Sequence, residues 1–172
     1  MNKAIFLDRD GVINYDHGYV YKISDFRLIE GVVDALKFFQ LKKYLLIIVT
    51  NQSGIGRGYF TEQEFQEINS HMLRILKNDS ININGVYYCP HHPNDNCKCR
   101  KPKNYLIEKA IKEYKINRKL SYFVGDKHSD MQASKKSKLK KCFLINSHLN
   151  NDEPYEIFKG LNEIASKWDQ IK

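Results

Sequence analysis

Long apolar runs are missing from this chain. None approaches the roughly 20 residues that a membrane-spanning helix needs, so no membrane partner is expected. Proline and glycine are sparse, four and nine in 172 residues, which excludes collagen-like and Pro/Gly-rich low-complexity classes. The four cysteines are too few for a disulfide scaffold, and Cys89, Cys97 and Cys99 lie close together. Acidic residues are outnumbered, 20 Asp+Glu against 28 Lys+Arg, leaving a net charge of +8. That surplus suits nucleic acid, anionic lipid or a phosphorylated metabolite, or is a solvated basic surface. It is densest in Lys135-Lys136-Ser137-Lys138-Leu139-Lys140-Lys141. The N-terminus runs from Met1-Asn2-Lys3 straight into Ala4-Ile5-Phe6-Leu7-Asp8, without the apolar stretch and cleavage site of a signal peptide. A cytoplasmic location is therefore expected.

What is present is the makings of a core. Forty-two per cent of the residues are hydrophobic, and the length suits one domain over residues 1–172. Continuous apolar runs at Ala4–Leu7, Tyr44–Val49, Tyr122–Val124 and Cys142–Ile145 read as strands buried on both faces, with Val86-Tyr87-Tyr88 a further candidate. Helical stripes fall between them: Val32, Val33, Leu36, Phe38 and Phe39; Phe65, Ile68, Met72, Ile75 and Leu76 behind a Thr61-to-Glu64 capping box; Leu106, Ile107, Ala110, Ile111 and Tyr114; and Tyr155 to Trp168. Alternating strands and helices predict an α/β fold with a mostly parallel sheet and helices on both faces. Ligands of such sheets bind beyond the carboxyl ends of the strands. Asp8, Thr50 and Asp126 each stand at such an end and should converge.

Their chemistry is that of phosphoryl transfer. Asp8-Arg9-Asp10-Gly11 offers a carboxylate nucleophile and a second carboxylate for proton transfer, with a glycine for the turn. A calcium loop would need further acidic ligands that Val12-Ile13-Asn14-Tyr15 does not supply. Thr50-Asn51-Gln52-Ser53-Gly54 is a polar loop able to hold phosphate oxygens, and Arg57 is placed to clamp a second anion. Asp126, with Asp8 and a backbone carbonyl, suits Mg²⁺; Asp130 is either a support for that site or a helix-start residue. Arg100 and Lys101, beside Pro102, supply cations to offset phosphoryl charge, whereas Lys103 could be solvated.

Cys89-Pro90-His91-His92 and Cys97-Lys98-Cys99 form a Cys-x-His-x5-Cys-x-Cys pattern. Three thiolates and an imidazole make a closed structural zinc set, with His91 favoured over His92 by its spacing from Cys89. The segment has almost no apolar side chains to order it otherwise. Cys99 leads directly into Arg100-Lys101, so zinc would stiffen the loop presenting these cations. Cys142 reads as a small buried strand residue.

Together the segments FLDRDGVIN, DHGYV, VTNQSGIGRG, YYCPHHP, CKCRKP and VGDKHSDMQAS resemble the D-glycero-D-manno-heptose 1,7-bisphosphate 7-phosphatases of the haloacid-dehalogenase superfamily. The resemblance runs in order from about residue 4 to residue 146. It implies a three-layer Rossmann-like fold with little or no cap domain and a small zinc-bound loop. It implies Asp8 as nucleophile, Asp10 as general acid/base, and Thr50 and Lys101 as phosphoryl stabilisers. Mg²⁺ would be held by Asp8, the Asp10 carbonyl and Asp126, and zinc by Cys89, His91, Cys97 and Cys99. Asp16, His17, Gly18, Tyr19, Asn51, Gln52 and Ser53 would contact the phosphorylated sugar, and Arg100 and Lys127 would read its distal phosphate or ring. The implied setting is the route to nucleotide-activated heptose of bacterial surface polysaccharide such as lipopolysaccharide, with a monomer expected. Where the family usually has a glycine soon after Arg-Lys-Pro, Asn104-Tyr105 stand here. A histidinol-phosphate phosphatase shares these catalytic motifs. A zinc-containing nucleic-acid-binding module would use the basic half but leave the strand-end motifs without a purpose, so a nucleic-acid partner is disfavoured.

Overall fold

A computed structural model describes residues 1–145 and 155–172. The strands are β1 (Lys3–Leu7), β2 (Tyr44–Asn51), β3 (Gly85–Cys89), β4 (Tyr122–Gly125), β5 (Lys141–Ile145) and β6 (Glu156–Phe158). The helices are α1 (Val32–Leu41), α2 (Ser53–Gly56), α3 (Glu62–Asn78), α4 (Tyr105–Glu113), α5 (His128–Lys136), α6 (Leu161–Ser166) and α7 (Trp168–Ile171). All six strands lie in one sheet in the order β3-β2-β1-β4-β5-β6, and every pairing is parallel.

Continuous apolar runs become strands here because both faces of the sheet are covered. Along β1, Ile5 and Leu7 enter one core cluster while Ala4 and Phe6 enter the other. Leu46 and Ile48 of β2 alternate with Ile47 and Val49 in the same way. The first face is packed by Leu36 and Phe39 of α1, Ile68 and Met72 of α3, and Leu161 and Ile164 of α6. The second is packed by Leu106, Ile107 and Ala110 of α4 and Met131 and Ala133 of α5. The result is the expected three-layer α/β arrangement. The predicted cap of α3 is made in full: Glu64 N donates to Thr61 Oγ1 at 3.1 Å, and Thr61 N donates to Glu64 Oε2 at 2.7 Å.

Two expectations need revision, and one helix is scarcely marked in the sequence. The stripe from Tyr155 to Trp168 is not one helix. Its first part is β6, whose Ile157 and Phe158 pair with Leu144 and Ile145 on the free edge of β5, and the helical part begins at Leu161. An open strand edge with apolar neighbours captured residues whose spacing alone also suits a helix. Helix α5 shows in the sequence only as a possible helix start, because its buried face is built from small and polar residues such as Ala133 and Ser134. Cys142 is half-buried rather than buried. Among the described residues, no helix is long and apolar enough to cross a membrane.

The register sets the site. Leu7 pairs with Ile48 on one side and Val124 on the other. Asp8, Thr50 and Asp126 therefore emerge at one edge, where the chain order of the strands reverses between β1 and β4. Cys89 ends β3 directly beside Asn51 of β2, which brings the cysteine loop to the same edge.

At the opposite end, Trp168 ties the C-terminal helices to the sheet. Its ring packs against Tyr122 (4.7 Å between centroids), Phe39 (4.9 Å) and Tyr44 (5.5 Å). Trp168→Ala should cost about 3–5 kcal/mol, read as a lower urea midpoint at an unchanged slope. A loss below about 1 kcal/mol would mean the C-terminal helices contribute little to the folded unit.

Candidate active site

Lys101 is the hinge of the site. It is 2% exposed; its ammonium donates to Val49 O at 2.7 Å and forms ion pairs with Asp130 Oδ1 at 2.7 Å and Asp8 Oδ1 at 3.1 Å. Burial alone would lower its pKa, but Asp130 and then Asp8 outweigh it and hold the amine charged. Burial would likewise push the Asp8 carboxyl up, yet Lys101, Lys127 and the Arg9 N–H, which donates to Oδ1 at 2.8 Å, bring it below the usual carboxylate range. Asp8 thus remains an anion although it is nearly buried.

Asp130 fills both roles considered from sequence. Its Oδ2 accepts from Asp126 N at 3.2 Å and Lys127 N at 3.1 Å, capping α5, while Oδ1 faces Lys101. This approach needs Gly125: a Cβ there would stand 2.4 Å from the Asp130 side chain. Gly11 serves Asp126 in the same way. It has φ of +81°, and a Cβ on it would come within 2.5 Å of Asp126 Oδ2.

Asp126 carries the sign of a cation site. Burial first, and Asp8 second, push its pKa up to about 7. Its Oδ1 is buried and has no hydrogen-bond partner among the described residues. Carboxylate oxygens of Asp8, Asp126 and Asp130 all lie within 4.8 Å of one another. Hard oxygen donors, with Asp126 Oδ1 lacking both a hydrogen bond and an ion pair among the described residues, fit Mg²⁺. Since Asp130 is committed to Lys101 and the α5 cap, Asp8 and Asp126 are the carboxylates left to hold it.

Around this centre lies an open cavity of about 480 Å³. Asp8, Asp10, Thr50, Gln52, Ser53, Arg100, Lys101 and Lys127 line it, with Asp16, Gly18, Tyr19 and Asn51. Thr50 Oγ1 accepts from Gln52 Nε2 at 2.9 Å, and the same amide donates to Asp10 Oδ2 at 2.8 Å. Lys127, 55% exposed at its side chain, reaches Asp126 at 3.2 Å and Asp16 at 3.4 Å. Asp16 Oδ1 accepts from Gly18 N at 2.9 Å and so shapes the turn that places Tyr19 on the wall. Arg100 Nη1 is buried without a hydrogen-bond partner among the described residues.

Two expected contacts are not brought to the cavity. Arg57 follows the short helix α2 on the surface, and His17 stacks on Tyr15 at 6.2 Å. Neither residue lines the cavity. Asn51 lines it, but its amide is already engaged. It donates to Lys101 O at 3.2 Å and accepts from Lys101 N at 3.0 Å, bolting the Arg-Lys-Pro segment to the end of β2. Sequence reasoning also passed over Arg9 and Asn14, which donate to Asp10 Oδ1 at 2.9 Å each. The signal for Arg9 was a cation flanked by two acids at a buried strand end.

The cysteine loop closes around one point. Sγ atoms of Cys89, Cys97 and Cys99 are 2.7–3.6 Å apart, and His91 Nδ1 lies 3.1 Å from Cys99 and 3.6 Å from Cys89. Soft thiolates with one imidazole suit tetrahedral zinc. His92 stands outside this group. Its Nδ1 instead accepts from Asn94 N at 3.2 Å. The loop is stitched to the site on two sides. Gln52 N donates to Cys89 O and Gly56 N to Pro90 O, both at 2.8 Å, and Lys103 Nζ donates to Cys97 O at 2.6 Å. A Cβ at Gly56 would lie 2.3 Å from His92 N, so the two loops meet backbone to backbone.

The family model described as polynucleotide kinase 3 phosphatase matches residues 4–158. A protein of Haemophilus influenzae named D-glycero-beta-D-manno-heptose-1,7-bisphosphate 7-phosphatase is 46% identical over 151 residues, covering 84% of this chain and 82% of the relative. The chain belongs to the heptose-bisphosphate phosphatase family of the haloacid-dehalogenase superfamily. Family membership makes it a phosphoric monoester hydrolase. A Campylobacter jejuni relative, named for the alpha anomer, is 43% identical over 164 residues, 95% of this chain and 94% of its own. Among solved structures, D,D-heptose 1.7-bisphosphate phosphatase from B. bronchiseptica, complexed with magnesium and phosphate, superposes with a TM-score of 0.87. It is 26% identical and covers 99% of both chains.

Removing the central cation should expose two buried carboxylates to each other. Lys101→Met is expected to cost about 3–5 kcal/mol at neutral pH without added Mg²⁺. In the parent protein the lowered Asp8 pKa gives stability that is present above the unfolded value of 3.8 and lost as pH falls through the folded one. In the variant, carboxyls without a cation are pushed up by burial, so acid relieves them. The difference between the two proteins should shrink between about pH 7 and about pH 5 in urea titrations. A difference that grows in acid would contradict this electrostatic account. Separately, Cys97→Ser should lower bound zinc, measured by mass spectrometry of the metal, together with melting temperature. Full stability in a zinc-free variant would remove the structural role.

Proposed function

We propose that this chain removes the 7-phosphate of D-glycero-D-manno-heptose 1,7-bisphosphate through an aspartyl-phosphate intermediate. The observation that carries the reading is the meeting of Asp8, Asp10, Thr50 and Lys101 around one cavity that Arg100 and Lys127 also line, with a carboxylate oxygen of Asp126 within 4.8 Å of one from Asp8. The names of the relatives support the substrate. The cavity supports a bisphosphate in particular. One phosphoryl group belongs at Asp8, and Arg100 and Lys127 on the cavity wall are cations suited to a second anion.

Asp8 attacks phosphorus while the proton of Asp10 passes to the leaving sugar oxygen. Asp10 then takes a proton from water, which cleaves the acyl phosphate in line. Thr50 accepts its hydrogen bond from Gln52, so its own hydroxyl proton is available to a phosphoryl oxygen. Lys101 balances the charge of the nucleophile and the transferred group. Mg²⁺, held by Asp8, the Asp10 carbonyl and Asp126, would neutralise the phosphoryl oxygens and so favour attack by an anion. Zinc at Cys89, His91, Cys97 and Cys99 would stiffen the loop leading into Arg100 and Lys101 without touching substrate. The enzyme acts as a cytoplasmic monomer on the route to nucleotide-activated heptose, in lipopolysaccharide or related surface polymers.

Phosphate release with Mg²⁺ from both anomers of the bisphosphate, beside histidinol phosphate, tests the substrate. Loss of the 7-phosphate alone, faster than histidinol phosphate by at least an order of magnitude, is expected. Preference for histidinol phosphate would keep the chemistry and replace the substrate. Asp8→Asn should abolish turnover, a loss on the order of 10³-fold or more, while the variant still melts in one cooperative transition. Substantial residual turnover would refute the covalent mechanism.

A further inference from the structure

Arg9 stands between the two mechanistic carboxylates, yet the mechanism above gives it nothing to do. It is 0% exposed, with its guanidinium over the Phe65 ring at 5.5 Å from the centroid. Desolvating a cation so completely is unfavourable unless a partner offsets it. The partner is Asp10. Arg9 Nε and Nη2 lie 3.1 and 2.9 Å from Oδ1, and Nη2 lies 3.0 Å from Oδ2. Asn14 Nδ2 donates to Oδ1 at 2.9 Å and Gln52 Nε2 to Oδ2 at 2.8 Å, but each is a single neutral donor. Only Arg9 engages both oxygens and so resists rotation of the carboxylate. Arg9 Nη2 also donates to Val20 O at 2.9 Å, fixing backbone beside the cavity-lining Gly18 and Tyr19.

The geometry points to Arg9 as the positioning residue for Asp10, orienting the carboxyl group that hands its proton to the leaving oxygen. This rests on the acid/base reading of Asp10 given above. Asp10 sits on a loop just beyond β1, where no regular ladder holds it. Proton transfer requires hydrogen-bond reach of the leaving oxygen, and displacements near 1 Å cost orders of magnitude in rate. A planar guanidinium fork anchored on Val20 O supplies that hold. An ammonium at the same place would keep the charge and lose the fork.

The step concerned is balanced simply. The bond from Asp8 oxygen to phosphorus forms and the bond from phosphorus to the sugar oxygen breaks. A proton moves from Asp10 Oδ2 to the departing oxygen: Oδ2 carries it in place of the bond from Gln52 Nε2, while Arg9 Nε and Nη2 keep hold of Oδ1. A phosphate ester of an acidic phenol departs without needing that proton. Since kcat/KM reports events up to the first irreversible step, it isolates this transfer whichever step limits kcat.

The experiment compares kcat/KM for heptose bisphosphate and for p-nitrophenyl phosphate in the parent chain, Asp10→Asn, Arg9→Lys and Arg9→Met, at saturating Mg²⁺. Arg9→Met fills the volume with an apolar chain should the lysine variant fail to fold. Thermal melts confirm that each variant is folded. Asp10→Asn should lose about 10²–10⁴-fold on the sugar phosphate and far less on the aryl ester. Either Arg9 variant should follow the same pattern, losing on the order of ten- to a hundredfold on the sugar phosphate and only a few-fold on the aryl ester. Equal losses on both substrates in the Arg9 variants, or none on either, while Asp10→Asn stays selective, would overturn the assignment of Arg9 alone. An Asp10→Asn variant without leaving-group selectivity would overturn the acid/base reading, and the role of Arg9 with it.

Discussion

The buried ammonium of Lys101 is the interaction on which the site depends. One cation stands between two carboxylates, Asp8 just beyond β1 and Asp130 on α5, and also bonds the carbonyl of Val49 on β2. Each charge would be costly in isolation at this depth. Together they fix the relative positions of three elements by a single group. They also keep Asp8 ionised although its side chain is only 6% exposed. The glycines of the site follow from this compactness. Gly125 admits Asp130 and Gly11 admits Asp126, because any Cβ would occupy space the carboxylates need.

A group so placed has to be delivered by a rigid segment, and the segment carrying Lys101 has little apolar substance of its own. Its rigidity is borrowed. Asn51 grips the Lys101 backbone from the end of β2, and Lys103 reaches back to Asn96 and Cys97 in the cysteine loop. That loop is joined to the Thr50 segment through the carbonyls of Cys89 and Pro90. Zinc at the cysteines would therefore hold two walls of the cavity through backbone contacts, even though its ligands do not line the cavity.

Much of this is legible in the chain because strong, local rules apply. Apolar strands ending in Asp8, Thr50 and Asp126 announce a parallel sheet and its ligand edge, and the register between β1, β2 and β4 brings them together. The cysteine spacing selects His91 over His92, and the geometry puts the same ring in the cluster. What escapes a reading of the chain depends on tertiary context. Residues 156–158 become a strand because β5 offers an edge, not because of their own pattern. Asn51 has the chemistry of a substrate contact, while its amide is turned onto Lys101 by a segment far away in sequence. Arg57 and His17 carry suitable chemistry, but the ends of α2 and of the Asp16 turn leave them off the cavity wall. Charge type is visible in a sequence; the direction of a loop side chain is not.

Arg9 shows the same boundary from the other side. In the sequence it is one basic residue among 28 Lys+Arg, in a motif already explained by its flanking acids. Only burial distinguishes it. A surface arginine beside an aspartate forms a weak, screened pair that stabilises little. The same pair in a dry setting is restrictive, because breaking it leaves an uncompensated charge. Lys101 and Arg9 thus divide the work at two carboxylates two residues apart. Lys101 holds Asp8 ionised, while the fork of Arg9 engages both oxygens of Asp10. The two cations differ in type as their roles differ. A point charge suffices where only charge is needed, and a planar fork serves where direction matters.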